Sequence, residues 1–283
     1  MTNPDPTLPA GPIAFVGGGN MARSLIGGLV ARGMAPQSIR VAEPVDELRD
    51  ALASDFGVEV FGHAAEACEG ASMWLLAVKP QVMRAVCGQV AGHARLQAPL
   101  VLSVAAGITS AQLQRWLGDE DGTLPVVRAM PNTPALLGCG ITGLFATDAV
   151  DRSQRDAAAG LLQAAGSTVW IDDEALMDAV TAVSGSGPAY VFLLAEAMQD
   201  AGVAQGLSPE TARALVQQTL LGAATMLTQL EEPAPVLRTR VTSPGGTTQA
   251  AVETFESGGF RELVARAVDA ATARGRALSK AND

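Results

Sequence analysis

Three consecutive glycines, Gly17-Gly18-Gly19, stand between a short apolar run at residues 12–16 and a helical pattern over residues 20–32. With Asn20, Met21 and Ala22 they read G-x-G-x-x-A directly after a strand and directly before a helix. In that context the first glycine of the motif permits a tight turn and the second lets the backbone approach a pyrophosphate. Ala22 keeps the helix close to the sheet, and the free N–H groups of the helix start face the phosphates. The run therefore predicts a dinucleotide-binding turn at the front of an α/β domain. A second short strand at residues 39–42 is followed by Glu43, where a carboxylate accepts hydrogen bonds from ribose hydroxyls.

Strand and helix patterns go on alternating. Residues 46–54 are helical, residues 73–78 are a continuous apolar strand of the doubly buried kind, and Pro80 opens the next helix. Residues 100–104 and 125–128 supply further strands, so the expected architecture is α/β with a doubly wound parallel sheet. Past residue 171 the texture changes. Residues 174–183, 189–204, 209–229 and 260–278 are rich in Ala and Leu, with helical periodicity and almost no strand signal. Ser208 before Pro209 has the form of an N-cap followed by proline at the first helical position. The chain thus divides into a disordered tail at 1–11, a Rossmann-like domain at 12–170 and an all-helical domain at 171–283.

Composition narrows the function. The 283 residues are 48% hydrophobic but only 4% aromatic, which suits packed helices around a buried parallel sheet. A formal charge of −10 with scattered basic residues argues against nucleic acid as a partner. No run approaches the roughly 20 apolar residues of a membrane span. Cys68, Cys87 and Cys139 lack metal-ligand or CxxC spacing, and the tail has no export signal, so the expected location is the cytoplasm and no metal is expected.

What the chain lacks is as informative. Its histidines are His63 and His93 and its lysines Lys79 and Lys280, so the helical half has no His and a Lys only near its end. Hydride transfer to a carbonyl creates an alkoxide that needs a proton donor of that kind. Reduction of a protonated imine does not: the electrophile is already cationic and the product is a neutral amine. Such an enzyme must orient a ring, bind any carboxylate and exclude water. Two loops suit that task. Residues 183–190, VSGSGPAY, and residues 241–248, VTSPGGTT, each place small and hydroxyl residues at a helix start, where backbone N–H groups attract anions.

These residues resemble the pyrroline-5-carboxylate reductase family, collinearly from residue 13 to residue 276. The resemblance is carried by FVGGGNMA at 15–22, AVKPQ at 77–81, SVAAGI at 103–108, RAMPNTPA at 128–135, AVSGSGPAYVF at 182–192 and RVTSPGGTTQAAVETF at 240–255. It implies NAD(P)H-dependent reduction of a cyclic imino acid, 1-pyrroline-5-carboxylate, to proline, by a homodimer whose helical domains interlock and whose dimers assemble into decamers. It also implies site residues. Val16, Gly17, Gly18, Gly19, Asn20 and Met21 would hold the pyrophosphate. Ala77, Val78, Lys79 and Pro80 would line the ribose and nicotinamide with Ala105, Ala106 and Gly107, and Asn132 would lie in the loop closing over the cofactor. Ser243, Gly245, Gly246 and Thr247 would take the substrate carboxylate, and the Thr248 hydroxyl would face the ring nitrogen as the catalytic contact.

Two positions depart from or qualify that pattern. Ala64 stands where many relatives have an Asn touching the adenosine ribose, and Glu43 sits where a bare ribose is distinguished from a phosphorylated one. NADPH is the common donor in the family, with NADH accepted by many members; Glu43 favours NADH, because a 2′-phosphate would meet a like charge. The competing expectations are an imine or hydroxy-acid reductase of the same architecture, and a non-catalytic NAD(P)-binding regulator. The first would lack the 243–248 turn or carry a proton-donating His or Lys in the helical half. The second would lose that turn while keeping the glycines.

Overall fold

The computed structural model describes residues 12–282, so the tail expected at residues 1–11 lies outside the described residues. The chain divides into two compact units, one running to Ser186 and resuming at Ala271, the other Gly187–Ala270. This division falls later than the boundary expected after residue 170, and it returns the last helical turns to the first unit.

The first unit alternates strand and helix. β1 (Ile13–Val16), α1 (Asn20–Ala31), β2 (Ile39–Ala42), α2 (Asp46–Phe56), β3 (Glu59–Phe61) and α3 (Ala64–Cys68) make its first half. β4 (Met73–Leu76), α4 (Pro80–Gln97), β5 (Leu100–Ser103), α5 (Ser110–Trp116) and β6 (Val126–Met130) continue the alternation. β7 (Gly140–Ala146), α6 (Arg152–Leu162) and β8 (Gly166–Trp170) follow, and α7 (Met177–Val180) leads into a π-helical turn at Thr181–Gly185.

The strands form one sheet in the order β3-β2-β1-β4-β5-β6-β7-β8. The first six pair in parallel, as the alternation predicts. β7 returns antiparallel to β6, and β8 pairs parallel to β7. The reversal has a simple cause: a parallel return needs a crossover of about a dozen residues or more, usually a helix, and residues 131–139 are too few. Residues 13–16, 73–76 and 100–103 are wholly buried, which is why those runs read as apolar without alternation. Their side chains nevertheless divide by face. Ile13, Phe15, Leu75 and Leu102 pack with Leu25, Ile26 and Leu29 of α1, and Ala14, Val16, Trp74 and Leu76 with Met83, Cys87 and Val90 of α4. Burial pushes the Cys68 and Cys87 thiols up to about 12, while Cys139 is exposed; all three are free.

The second unit is helical: α8 (Gly187–Ala204), α9 (Pro209–Gln229), α10 (Ala234–Arg240), α11 (Thr247–Ser257) and the start of α12 (Phe260–Ala281). Ser208 caps α9 as its sequence predicts, its hydroxyl accepting from the Thr211 N–H at 3.2 Å. Large apolar side chains stay exposed along α8 and α9, among them Phe192, Leu193, Leu215 and Leu221. Among the described residues no helix is long and apolar enough to cross a membrane.

Candidate active site

Because β1, β2, β4 and β5 are parallel, the loops that leave their C-terminal ends share one edge of the sheet. The ladder carries on into them. The Gly17 N–H donates to the Ala42 carbonyl at 2.8 Å, the Ala77 N–H to Val16 at 2.8 Å and the Val104 N–H to Leu76 at 3.2 Å. Gly17 adopts φ +102°, and a Cβ there would lie 2.9 Å from the Ala77 carbonyl oxygen, so the tight turn requires glycine. Gly19, the N-cap of α1, is different: nothing lies within 4 Å of its would-be Cβ, and no side chain caps the first N–H groups of the helix. An open approach over uncapped N–H groups fits a pyrophosphate. Ala22 is fully buried where α1 meets the sheet.

Glu43 is 8% exposed at the end of β2. Its Oε2 accepts from the Gly18 N–H at 3.0 Å and its Oε1 from the Val45 N–H at 3.1 Å, so the carboxylate braces the glycine turn. Arg49 and Arg23 are both hydrogen-bonded. Arg49 donates to the Glu43 and Pro44 carbonyls and pairs with Asp46, while Arg23 pairs with Asp55 and stacks over Phe56. Lys79 is exposed at the N-cap of α4, with Pro80 in the first helical turn. Ala105, Ala106 and Gly107 follow β5, where the buried Ser103 hydroxyl accepts from the Ala105 N–H at 3.3 Å. The backbone thus brings together Val16 to Ala22, Glu43, Ala77 to Pro80 and Ala105 to Gly107 at one edge.

Asn132 uses both ends of its amide within the first unit. Nδ2 donates to the Ser184 carbonyl at 3.1 Å, and Oδ1 accepts from the Ile141 N–H at 3.0 Å. It braces the 131–135 loop against the π turn. That turn changes the expectation for residues 183–190: α8 does start at Gly187, but Ser184 belongs to the preceding π turn and its hydroxyl donates to the Val180 carbonyl at 2.9 Å.

In the second unit Ser243 to Gly246 form the turn that starts α11, with Gly246 as N-cap. The Gly246 N–H donates to the Ser243 carbonyl at 3.0 Å, and the Gly245 N–H to Gln249 Oε1 at 2.6 Å. Gly245 has φ +71°, which this turn needs. Ser243, Thr247 and Thr248 are exposed, and among the described residues no hydrogen bond engages their side chains. Three hydroxyls over a helix start suit a small carboxylate.

A cluster that the sequence reading missed lies behind the first unit's edge. Glu174 Oε1 accepts from Arg128 Nη1 at 2.8 Å and from the Ser110 N–H at 2.7 Å, and Oε2 accepts from the Ser110 hydroxyl at 2.7 Å. It joins β6 to the start of α5. The available signal was Arg128 itself, a charge inside an apolar strand that demands a partner. Among the described residues no group of three or more His, Cys, Asp or Glu could hold a metal ion.

A glycine turn on a parallel sheet edge in one unit, and a hydroxyl-rich helix start in a helical unit, belong with the nicotinamide-dependent oxidoreductases that carry a helical dimerisation domain. Residues 174–278 match the pyrroline-5-carboxylate reductase dimerisation family, and residues 12–107 match the family described as NADP oxidoreductase, coenzyme F420-dependent. The chain is 51% identical to the pyrroline-5-carboxylate reductase of Pseudomonas aeruginosa, covering 95% of this chain and 97% of that one. The pyrroline-5-carboxylate reductase structure from Coxiella burnetii superposes with TM-score 0.92 at 40% identity, over 96% of this chain and 99% of that one. A Plasmodium falciparum pyrroline carboxylate reductase with NADP bound has TM-score 0.83 at 27% identity, over 96% and 100%. The chain belongs to the pyrroline-5-carboxylate reductase family.

Proposed function

We propose that the chain reduces 1-pyrroline-5-carboxylate to L-proline, the last step of proline biosynthesis. The observation that carries this reading is the coexistence of an unobstructed helix start at Gly19 and the unengaged hydroxyl turn at Ser243–Thr248, each intact in its own unit. A non-catalytic dinucleotide binder has no use for the second. The reduced nicotinamide supplies the hydride, which goes to the carbon of the protonated C=N bond and leaves a neutral ring amine.

The division of labour follows from the residues. Val16 to Met21 hold the pyrophosphate, Ala22 keeps α1 close to the sheet beneath it, and Ala77 to Pro80 with Ala105 to Gly107 line the ribose and nicotinamide. Asn132 keeps its loop in place beside them. Ser243, Gly245, Gly246 and Thr247 take the substrate carboxylate, and the Thr248 hydroxyl faces the ring nitrogen. No proton-donating His or Lys is required, because a protonated imine leaves no alkoxide to neutralise. In functional terms residues 12–170 serve the dinucleotide and residues 171–283 the substrate and dimerisation.

For the cofactor, a buried carboxylate at Glu43 and two committed arginines leave a 2′-phosphate facing like charge, so NADH is used well and NADPH without strong preference. The working assembly is a homodimer that builds toward a decamer, and three free thiols suit the reducing cytoplasm. The deciding experiment measures oxidation of NADH and NADPH with pyrroline-5-carboxylate beside a panel of 2-oxo acids. Turnover with the imino acid alone supports the reading, and turnover with an oxo acid alone overturns it.

A further inference from the structure

We propose that the last turn of α12, through Asn282, is a positioning element for the loop Ala105–Gly107. The proposal rests on the reading above that this loop lines the nicotinamide. Both ends of the contact lie in the first unit, which α12 rejoins at Ala271.

Gly107 is buried and adopts φ +71°, past the end of β5 and outside its ladder. A buried carbonyl there needs a partner. Asn282 supplies it, its Nδ2 donating to the Gly107 carbonyl at 3.2 Å. The approach is close enough that a Cβ on Gly107 would lie 3.4 Å from Leu278 Cβ and 3.5 Å from the Ser279 nitrogen. Gln112 secures the same helix end. It is 4% exposed, its Oε1 accepts from the Thr109 N–H at 2.8 Å, and its Nε2 donates to the Ser279 carbonyl at 3.1 Å.

Ser279 is among the last residues of α12, whose final carbonyls have no intrahelical acceptor role to fill. Gln112 therefore satisfies one orphan of the helix end, while the residue just past that end satisfies an orphan of the loop. The exchange fixes the loop at Gly107 between two anchors already described, Ser103 at its start and Ser110 with Glu174 at its end. Without Asn282 the Gly107 carbonyl has no side-chain donor, and the loop that would face a nicotinamide ring is held less firmly in one orientation.

The test uses the full chain and two variants, Asn282→Ala, which removes the side-chain amide, and Asn282→Asp, which keeps its shape but not its N–H donor. Cofactor Kd is read from the fluorescence of the reduced dinucleotide, alongside the imino-acid KM and the thermal midpoint. The expected result is a cofactor Kd raised about three- to tenfold in both variants, with imino-acid KM unchanged and the midpoint lowered by a few degrees as the Gly107 carbonyl loses its partner. Unchanged cofactor binding in both variants overturns the inference while leaving the proposed function standing. A lowered midpoint with unchanged cofactor Kd assigns the contact to folding alone and also overturns it. A wild-type chain that binds neither NADH nor NADPH removes the reading on which the inference rests.

Discussion

The carboxylate of Glu43 and the backbone N–H of Gly18 meet at 3.0 Å, joining the end of β2 to the glycine turn after β1. A group placed there to read a ribose is also a structural brace, since its other oxygen takes the Val45 N–H. Charge and bracing can be separated by substitution. Glu43→Ser should shift the ratio of kcat/KM for NADH over NADPH toward NADPH by about tenfold, the size of one relieved like-charge contact near 1.4 kcal/mol. It should also cost about 1–3 kcal/mol of stability, because buried N–H groups lose acceptors. Both cofactors are to be assayed at fixed ionic strength. A wild-type preference for NADPH above about a hundredfold would defeat the charge argument.

The hydroxyls of Ser243 and Thr248 belong to one turn but are assigned different tasks. Thr248→Ala should lower kcat with little change in KM, and Ser243→Ala should raise the imino-acid KM with little change in kcat. Losing a hydrogen bond to a charged group costs about 1.5–3 kcal/mol, roughly ten- to a hundredfold in either constant. Steady-state kinetics with saturating cofactor reads both effects. Wild-type constants in both variants would show that substrate binds elsewhere.

Much of this arrangement was legible before the structure. The glycine turn, the buried central strands and the helical second half follow from spacing and apolar runs, because each is a local pattern with one physical solution. β3, β7 and β8 were not legible. β3 spans only three residues, β7 begins at Gly140 and is interrupted by Gly143, and β8 alternates half-buried with exposed positions. Such strands form because a sheet edge is there to receive them, not from their own pattern. Residues 174–186 read as helical, and are, yet they cluster with the first unit, a tertiary relationship that a helical pattern does not carry. Gly19, Glu43 and residues 243–248 stand out in the sequence because a glycine turn, an acid at a strand end and hydroxyls at a helix start are local patterns. The tie from Glu174 to Ser110, 64 positions away, and that from Asn282 to Gly107, 175 positions away, belong to the fold and leave no local trace.

Glu174 tests how far that cluster matters. Arg128 is 7% exposed, and Glu174→Ala leaves its guanidinium without a counter-charge. Breaking a buried pair on one side costs about 3–5 kcal/mol; with the glutamate side chain 25% exposed, solvent lowers the expectation to about 2–3 kcal/mol. The Ser110 N–H and hydroxyl lose their acceptor as well. Urea denaturation should show the midpoint falling with an unchanged slope. A loss below about 0.5 kcal/mol would mean that water replaces the carboxylate without penalty.

The helical unit carries the last prediction. Phe192 is 66% exposed, Leu193 65%, Leu221 61% and Leu215 55%, all on α8 or α9. Scattered apolar residues on a surface need no explanation, but a run along two neighbouring helices does. The dimerisation family match covers both helices, and the interlocking expected of the family would bury these side chains against a second copy. Leu221→Glu places a charge on that face without touching the glycine edge or the 243–248 turn. Analytical ultracentrifugation should find the wild type as a homo-oligomer and the variant shifted toward monomer. Cofactor binding should persist in the variant, since its loops lie within the first unit, while turnover falls with dissociation. A wild-type chain that sediments as a stable, active monomer would refute the assignment. A Leu221→Glu chain that keeps the wild-type assembly would move the interface off this face of α9.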